Sequence, residues 1–526
     1  MKFALSLKIA LVFCAWVSVA AADNIFVANF GIGTITKYDA DGNAALFSGA
    51  FINGPSGIAL DASGNVYVST NDNTVEKFSP TGTDLGVFAN LGLNNPLGLA
   101  LDRAGNLYVA NFIGNTVRKI APDGTDLGIF AIVIGPTGLA FDAAGNLHVA
   151  NIGNTIQRFA PDGTQLSTFS SINLNNPEGL VFDSLGFLYA ANSGADTIEV
   201  FSQTGVDLGA IASSNLSGPI GLGFDTAQNL YVSNNLTATI DRFSSNGVDT
   251  IFASTGFSPQ FLAVQRAPSL VNISTRLNVL TGENVLDGGF ILVGEGTKRV
   301  LIRGLGPSLG DAGLDNLLAD PIIELHSSAT DEIIASNDNW KNNQQAEIEA
   351  TGIPPQNDAE AALITTLSAG TYTVIERGKL NTTGLGLIEI YDLGFGFGPE
   401  LANLSTRGLV GEGSNVMIAG FIAASSTGGS GTVLLRALGP SLGEAGVADP
   451  LPDPVLELHD GNGTLIATND DWKSDQQTEI EATGIPPADD AESAILATLA
   501  PGGYTAIESG KNGESGVGLV EVYNLH

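Results

Sequence analysis

The chain has almost no cysteine. The single one, Cys14, stands within the first 22 of 526 residues. Once that segment is removed, nothing remains to form a disulfide, a thiolate nucleophile or a cysteine-ligated zinc site. Positive charge is also scarce, with 21 Lys and Arg against 55 Asp and Glu, a net charge of −34. Such a surface repels nucleic acid and anionic lipid, so neither is an expected partner. The acidity reads as solubility in a salty exterior, with cation binding as the alternative. Long apolar runs are missing too. Only residues 9–17 (IALVFCAWV) form one, after Lys2 and Lys8 and before small residues. It is too short to span a bilayer and reads as part of a secretory signal over 1–22, cleaved after Ala20 or Ala22. Its removal takes two lysines and no acid, bringing the charge from −34 to −36. The expected location is therefore secreted, periplasmic or cell-surface, with no membrane span left after processing.

What the sequence has in abundance is glycine, 66 residues, and repetition. PSGIALD (55–61), PLGLALD (96–102), PTGLAFD (136–142), PEGLVFD (177–183) and PIGLGFD (219–225) begin at prolines spaced 41, 40, 41 and 42 residues apart. Each unit parses into four short strands: GLALD, then NLYVAN after an xxGN turn, then TVRKI, then DLGIF after a Pro-Asp-Gly turn. A period near 40 with four strands points to propeller blades. The ends complete the count. NIFVAN (24–29) is a second strand with no first, and SPQFLAVQ (258–265) is a first strand with no second. Joined, they make a sixth blade and close the ring, which removes an open sheet edge. The reading is an all-β chain with a six-bladed β-propeller over 23–266.

The phrase P-x-G-[LI]-A-x-D-x-x-G-N-[LV]-Y-V-[AS]-N resembles NHL repeats. That resemblance implies the propeller fold and leaves function open, because scaffolds, hydrolases and lyases share it. The first strand of each blade lines the channel, so the slot between Pro and Gly is a candidate ligand position. The slots hold Ser56, Leu97, Thr137, Glu178, Ile220 and Gln260. Gluconolactonase and senescence-marker propellers, more distantly similar, imply acids and Asn at such slots on several blades. Here Glu178 is the sole carboxylate, short of the six to eight oxygens that calcium prefers. Streptogramin and peptide-amidating lyases imply catalytic histidines. This propeller has only His148, standing where sister strands carry Tyr67, Tyr108, Tyr189 and Tyr231. It reads as a structural substitute, and no catalytic residue is assigned. Second strands end in Asn29, Asn111, Asn151, Asn192 and Asn234. These read either as turn closure or as a polar ring for a ligand, so the candidate ligand set is Ser56, Thr137, Glu178, Gln260, Asn111, Asn151, Asn192 and Asn234. Basic residues of the third strands (Lys37, Lys77, Lys119, Arg158, Arg242) read as stems lying along a blade edge.

From 267 the rhythm changes. LVNISTR (270–276) returns as LANLSTR (401–407), RGLGPSLGDAG (303–313) as RALGPSLGEAG (436–446), and TYTVIERGK (371–379) as GYTAIESGK (503–511). The offset is 131 to 133 residues. Two copies are expected, each a β-sandwich or jelly roll, at 267–394 and 401–526, joined by a Gly-rich linker at 395–400. PVLELHDGNGTLIATNDDW…DAESAILATLAPGGYTAIE resembles the bacterial pre-peptidase C-terminal (PPC) domain. That resemblance implies a secreted appendage that contacts matrix or carbohydrate. Asp338, Asp358 and Glu360, with Asp470, Asp490 and Glu492, are candidate calcium ligands, against ordinary turn acids. Trp340 and Trp472 read as core plugs, and Arg303 and Arg436 as partners of loop carbonyls. The leading expectation is a non-catalytic binding or scaffold protein outside the cell, taking a protein, peptide or glycan on its propeller face. The alternatives are a metal-dependent lactonase- or lyase-like enzyme centred on Glu178, and a structural spacer or adhesin.

Overall fold

A computed structural model describes residues 23–212, 214–244, 247–266, 268–282, 284–330, 332–394, 400–425 and 427–525. The expected signal segment and most of the expected linker lie outside them. These described residues form two compact units: 23–266 with those of 425–429, and those of 268–424 with 430–525.

The first unit is a six-bladed propeller of six four-stranded antiparallel sheets. The xxGN turns work as the sequence suggests, with Gly64, Gly105 and Gly145 at φ of +77°, +79° and +81°, where a side chain would be strained. Blades stand only by stacking. One apolar cluster joins Tyr108 and Val117 of one blade to Leu139, Leu147 and Val149 of the next. The ring closes as expected. Pro259–Gln265 pairs antiparallel with Asn24–Asn29, placing Ile25 opposite Val264, Phe26 opposite Ala263 and Val27 opposite Leu262.

The second unit keeps the all-β, sandwich-like class but not the division into separate copies. Ser269–Val279 pairs on one side with Gly384–Asp392 of its own copy and on the other with Met417–Ala424 of the second copy. Glu400–Val410 does the reciprocal. It pairs with Gly516–Leu525 of its own copy and with the Asp287–Val293 part of Leu286–Leu305 in the first. The expected linker therefore ends inside a strand, at Glu400. Equivalent residues meet where the exchanged strands cross: Leu270 pairs with Leu401, and the hydroxyls of Thr275 and Thr406 bond to each other. One hydrophobic core draws on both copies, with Leu277, Phe290 and Leu325 beside Leu404, Phe421 and Leu435. A short helix, Gln345–Glu349, forms in the polar stretch that follows Trp340.

Among the buried acids of each copy, Glu376 and Glu508 are an equivalent pair. Glu376 is fully buried, and neither carboxyl oxygen has a hydrogen-bond partner among the described residues. A Cβ at Gly386 would lie 2.5 Å from its Oε2, so glycine leaves the room that this carboxyl fills. Burial, then the nearby charge of Glu360, pushes its pKa well above the usual carboxylate range. Glu508 occupies the equivalent place with the same shift, from burial and then Glu492, partly offset by the Leu519 N–H. Unfolding lets both acids ionise at their ordinary pKa, so the folded state holds more protons between that value and the raised one. Stability of this unit should therefore fall as pH rises through that window, by about 1.4 kcal/mol per pH unit per group. Denaturant melts of a Glu376→Gln/Glu508→Gln variant should show a flatter pH profile than the parent. An unchanged slope would place the pH dependence elsewhere.

Candidate functional site

The P-x-G-[LI] phrase builds the channel wall. Its glycine sits where neighbouring first strands nearly touch. An added Cβ would lie 2.0 Å from the Leu97 carbonyl at Gly57, 2.3 Å from Thr137 O at Gly98, 2.0 Å from Glu178 O at Gly138 and 2.2 Å from Ile220 O at Gly179. No other residue fits there without moving a strand. The next position is aliphatic in every blade. Ile58, Leu99, Leu139, Leu180, Leu222 and Leu262 form a collar around a cavity of about 130 Å³. The side chains that line this cavity are therefore apolar, with Phe261 among them, and backbone of Gly98 and Gly179 completes the wall.

The slot residues precede the collar and are spent unequally. Ser56 is buried. The buried Thr137 hydroxyl donates to the Pro177 carbonyl at 2.8 Å. Leu97 and Ile220 offer no polar side chain, although the Leu97 carbonyl accepts from Ser69 Oγ at 2.8 Å and that of Gln260 accepts from Ser233 Oγ. Gln260 is partly buried. Glu178 is also partly buried, and its Oε1 accepts from Asn176 Nδ2 at 3.0 Å. Burial raises its pKa to about 7, against a small lowering by Asn176. Among the described residues, no three His, Cys, Asp or Glu side chains gather to hold a metal. Asp196, a possible second acid, accepts from the Gly218 N–H at 2.7 Å and serves its loop. Asp241 is fully buried, accepts from Thr239 Oγ1 at 3.4 Å and is pushed up to about 6 by burial, then by Asp249.

The asparagine ring is structural. Asn111, Asn151, Asn192 and Asn234 are all buried. Asn111 Oδ1 accepts from the Asn94 N–H, and its Nδ2 donates to Gly92 O at 3.0 Å and Thr116 Oγ1 at 3.2 Å. Asn192 repeats this with Asn175 N–H at 2.6 Å, Asn173 O at 2.9 Å and Thr197 Oγ1 at 3.1 Å. Asn234 accepts from Ser217 N–H at 3.1 Å, and Asn151 from Gly153 N–H at 2.8 Å. These side chains tie neighbouring loops together, the turn-closure side of the two readings that the sequence left open. Sequence reasoning missed Glu199, buried beneath this ring, which accepts from Asn192 Nδ2 at 3.2 Å and Thr197 Oγ1 at 3.0 Å. The signal was available: Glu199 and Asp241 both stand two residues after the threonine that opens a third strand.

His148 takes the tyrosine role. Its Nε2 lies 3.2 Å from Asp142 Oδ2, as Tyr67 Oη lies 3.0 Å from Asp61 and Tyr108 Oη 3.3 Å from Asp102. Burial lowers its pKa despite the aspartate. The third-strand lysines do more than lie along an edge: Lys77 and Lys119 sit 4.9 and 5.0 Å from the ring centres of Tyr67 and Tyr108.

The calcium candidates disperse. Fully buried Glu360 accepts at Oε1 from the Gly306 N–H (3.1 Å), the Ser308 N–H (2.9 Å) and Ser308 Oγ (2.5 Å), and at Oε2 from the Asn357 N–H (3.2 Å). Glu492 does the same with Gly439 N–H, Ser441 N–H and Ser441 Oγ, and with the Ala488 and Asp489 N–H groups. Asp338 pairs with Lys379 at 3.0 Å, Asp358 with Lys341 at 2.5 Å, Asp470 with Lys511 at 3.2 Å and Asp490 with Lys473 at 2.5 Å. These acids pin the GPSLG turns or face lysine, and do not converge as a calcium cage. Trp340 and Trp472 are core plugs, as expected, each bonding a loop carbonyl through Nε1. Arg303 and Arg436 bond the Ile353 and Ile485 carbonyls and also clasp Glu389 and Glu521.

No family model matches the sequence, and no curated protein matches it. Among solved structures, the chain is similar to a virginiamycin B lyase from Staphylococcus aureus. The identity is 18% over 37% of this chain and 68% of that one, with a TM-score of 0.33. A gluconolactonase from Xanthomonas campestris is similar at 22% identity over 41% of this chain and 84% of that one, TM-score 0.35. A streptogramin B lyase follows at 17% over 44% and 74%, TM-score 0.33. At such scores the likeness decides nothing about activity, and the propeller stands on its own six sheets.

Proposed function

We propose that this chain is a secreted or cell-surface binding protein of the NHL type. Its propeller takes a protein, peptide or glycan on the face at the channel mouth, and its tail copies act as PPC-like appendages. The observation that supports this reading is the collar. Six aliphatic side chains, one per blade, follow slots in which Glu178 is the sole carboxylate and Leu97 and Ile220 are aliphatic, a lining short of the oxygen donors that a bound divalent cation needs. A second reading has one observation in its favour. Glu178 is held near pH 7 by burial, the range useful for a general acid or base.

One assay separates the two. The mature chain is offered a panel of lactones and cyclic depsipeptides, with and without Ca²⁺, Mg²⁺ or Zn²⁺. The binding reading expects no turnover above that of Glu178→Ala. Turnover that falls by about a hundredfold or more in Glu178→Ala, the scale of a lost general base, would establish the enzyme instead.

A further inference from the structure

In copy two the sheet of the tail unit ends on two strands. Among the described residues, Leu465–Asn469 pairs only with Pro454–Asp460, and Ser493–Leu499 only with Gly431–Leu438. Their outer edges flank a cavity of about 490 Å³. They meet at one end, where Asn469 Oδ1 accepts from the Ala494 N–H at 3.0 Å and Asn469 O from Ser493 Oγ at 2.9 Å. Further along, a side chain stands where the next strand would be. The Leu496 N–H donates to Gln476 Oε1 at 3.0 Å, and Gln476 Nε2 donates to Leu496 O at 2.9 Å. A residue of a neighbouring antiparallel strand would make the same two-point pairing. Backbone direction alternates along a strand, so Thr498 on one edge and Ala467 on the other also turn their N–H and C=O groups to the gap. Leu465–Asn469 has neither charge nor proline, the usual guards of an edge, and leaves Leu465 and Ile466 exposed.

Copy one carries the same amides. Gln344 makes both bonds to Ile364, at 2.8 and 2.9 Å, and Asn337 Oδ1 accepts from the Ala362 N–H at 3.0 Å. The backbones beneath them differ. Gln344 has φ of −65°, but Gln476 has φ of +24° and ψ of +22°, a left-handed conformation that strains any residue with a side chain. We propose that the gap between Leu465–Asn469 and Ser493–Leu499 binds an extended peptide strand, which displaces the side chain of Gln476. The hydrogen-bonding groups define this occupant. Two strand edges flanking one gap offer donors and acceptors at strand spacing on both sides, and an extended polypeptide meets both in register. The side-chain amides of Asn469 and Gln476 already stand in for its peptide groups. Asp475 is the one charged residue lining the cavity, so backbone rather than charge selects the ligand. Release of the strained Gln476 offsets part of the cost of ordering the peptide. The site lies in the tail, so its test is separate from the lactone panel that probes the propeller.

Fluorescence polarisation tests this, with a labelled octapeptide of alternating threonine and valine, ended by a lysine, added to the mature full-length chain. Saturable binding is expected. The same peptide N-methylated at alternate residues should bind at least about tenfold more weakly, since it lacks the donors of one edge. Gln476→Gly removes the displaced side chain and suits the left-handed backbone, so it should bind the peptide about tenfold more tightly. Thr498→Pro takes one N–H from the gap and leaves the bonds to Gly431–Leu438 in place, so it should weaken binding about tenfold. Circular dichroism checks that both variants are folded. The proposal is overturned if neither the parent nor Gln476→Gly binds, if the N-methylated peptide binds as well as the unmodified one, or if folded Thr498→Pro binds unchanged.

Discussion

Leu262→Asp should open the propeller. Leu262 lies opposite Val27 in the seam that joins the two ends of the ring, lines the aliphatic collar and is 5% exposed. Aspartate there loses the packing of a buried leucine and leaves a carboxylate facing hydrocarbon. The combined cost is about 5 kcal/mol or more, at the extreme of single substitutions. In a unit of this size that corresponds to roughly 10 to 20 °C in Tm. Leu46→Asp, on an exposed outer strand, is the control and should change stability by about 0.5 kcal/mol or less. Differential scanning calorimetry reads both. A Leu262→Asp protein that melts with the parent would mean that the ring is not closed by this strand.

The second large effect is expected in the tail unit. Glu492→Ala removes a buried carboxylate that accepts four backbone N–H bonds and one from a hydroxyl. Buried donors left unpaired cost about 1 to 3 kcal/mol each, so even with partial relaxation the loss is roughly 4 kcal/mol or more. The informative readout is cooperativity. Two free-standing sandwiches would melt separately, and Glu492→Ala would shift only the second. The exchanged strands and the shared core predict one transition for both copies, lowered as a whole, with Glu360→Ala producing the same shift. Hydrogen exchange would then show the amides of Ser269–Val279 losing protection in Glu492→Ala. Unchanged protection there would argue against the exchange.

The propeller was legible because its information is local and repeated. Each blade restates the same turn and strand chemistry, and the unmatched strands at 24–29 and 258–265 leave one way to close the ring. His148 was legible for the same reason, since its sister positions are tyrosines. For the asparagines at the strand ends, the sequence left turn closure and a ligand ring both open. Asn111 and Asn192 sit where either solvent or a neighbouring loop could take their amides. Only the fold brings the Asn94 and Asn175 backbones against them. The acids at 360 and 492 show the same limit. A carboxylate in a loop suits calcium or a set of backbone amides equally well, and the GPSLG turns that supply those amides lie about fifty residues earlier in sequence.

The sequence by itself determined the strand content, the blade count, the ring closure and the duplication of the tail. All of these follow from short-range pattern and its recurrence. Tertiary structure alone decided which copy each tail strand would join. Ser269–Val279 and Glu400–Val410 are near-identical in pattern, so each finds an almost equivalent edge in either copy. The choice is made by how one continuous chain can pack both sets of apolar faces into a single core.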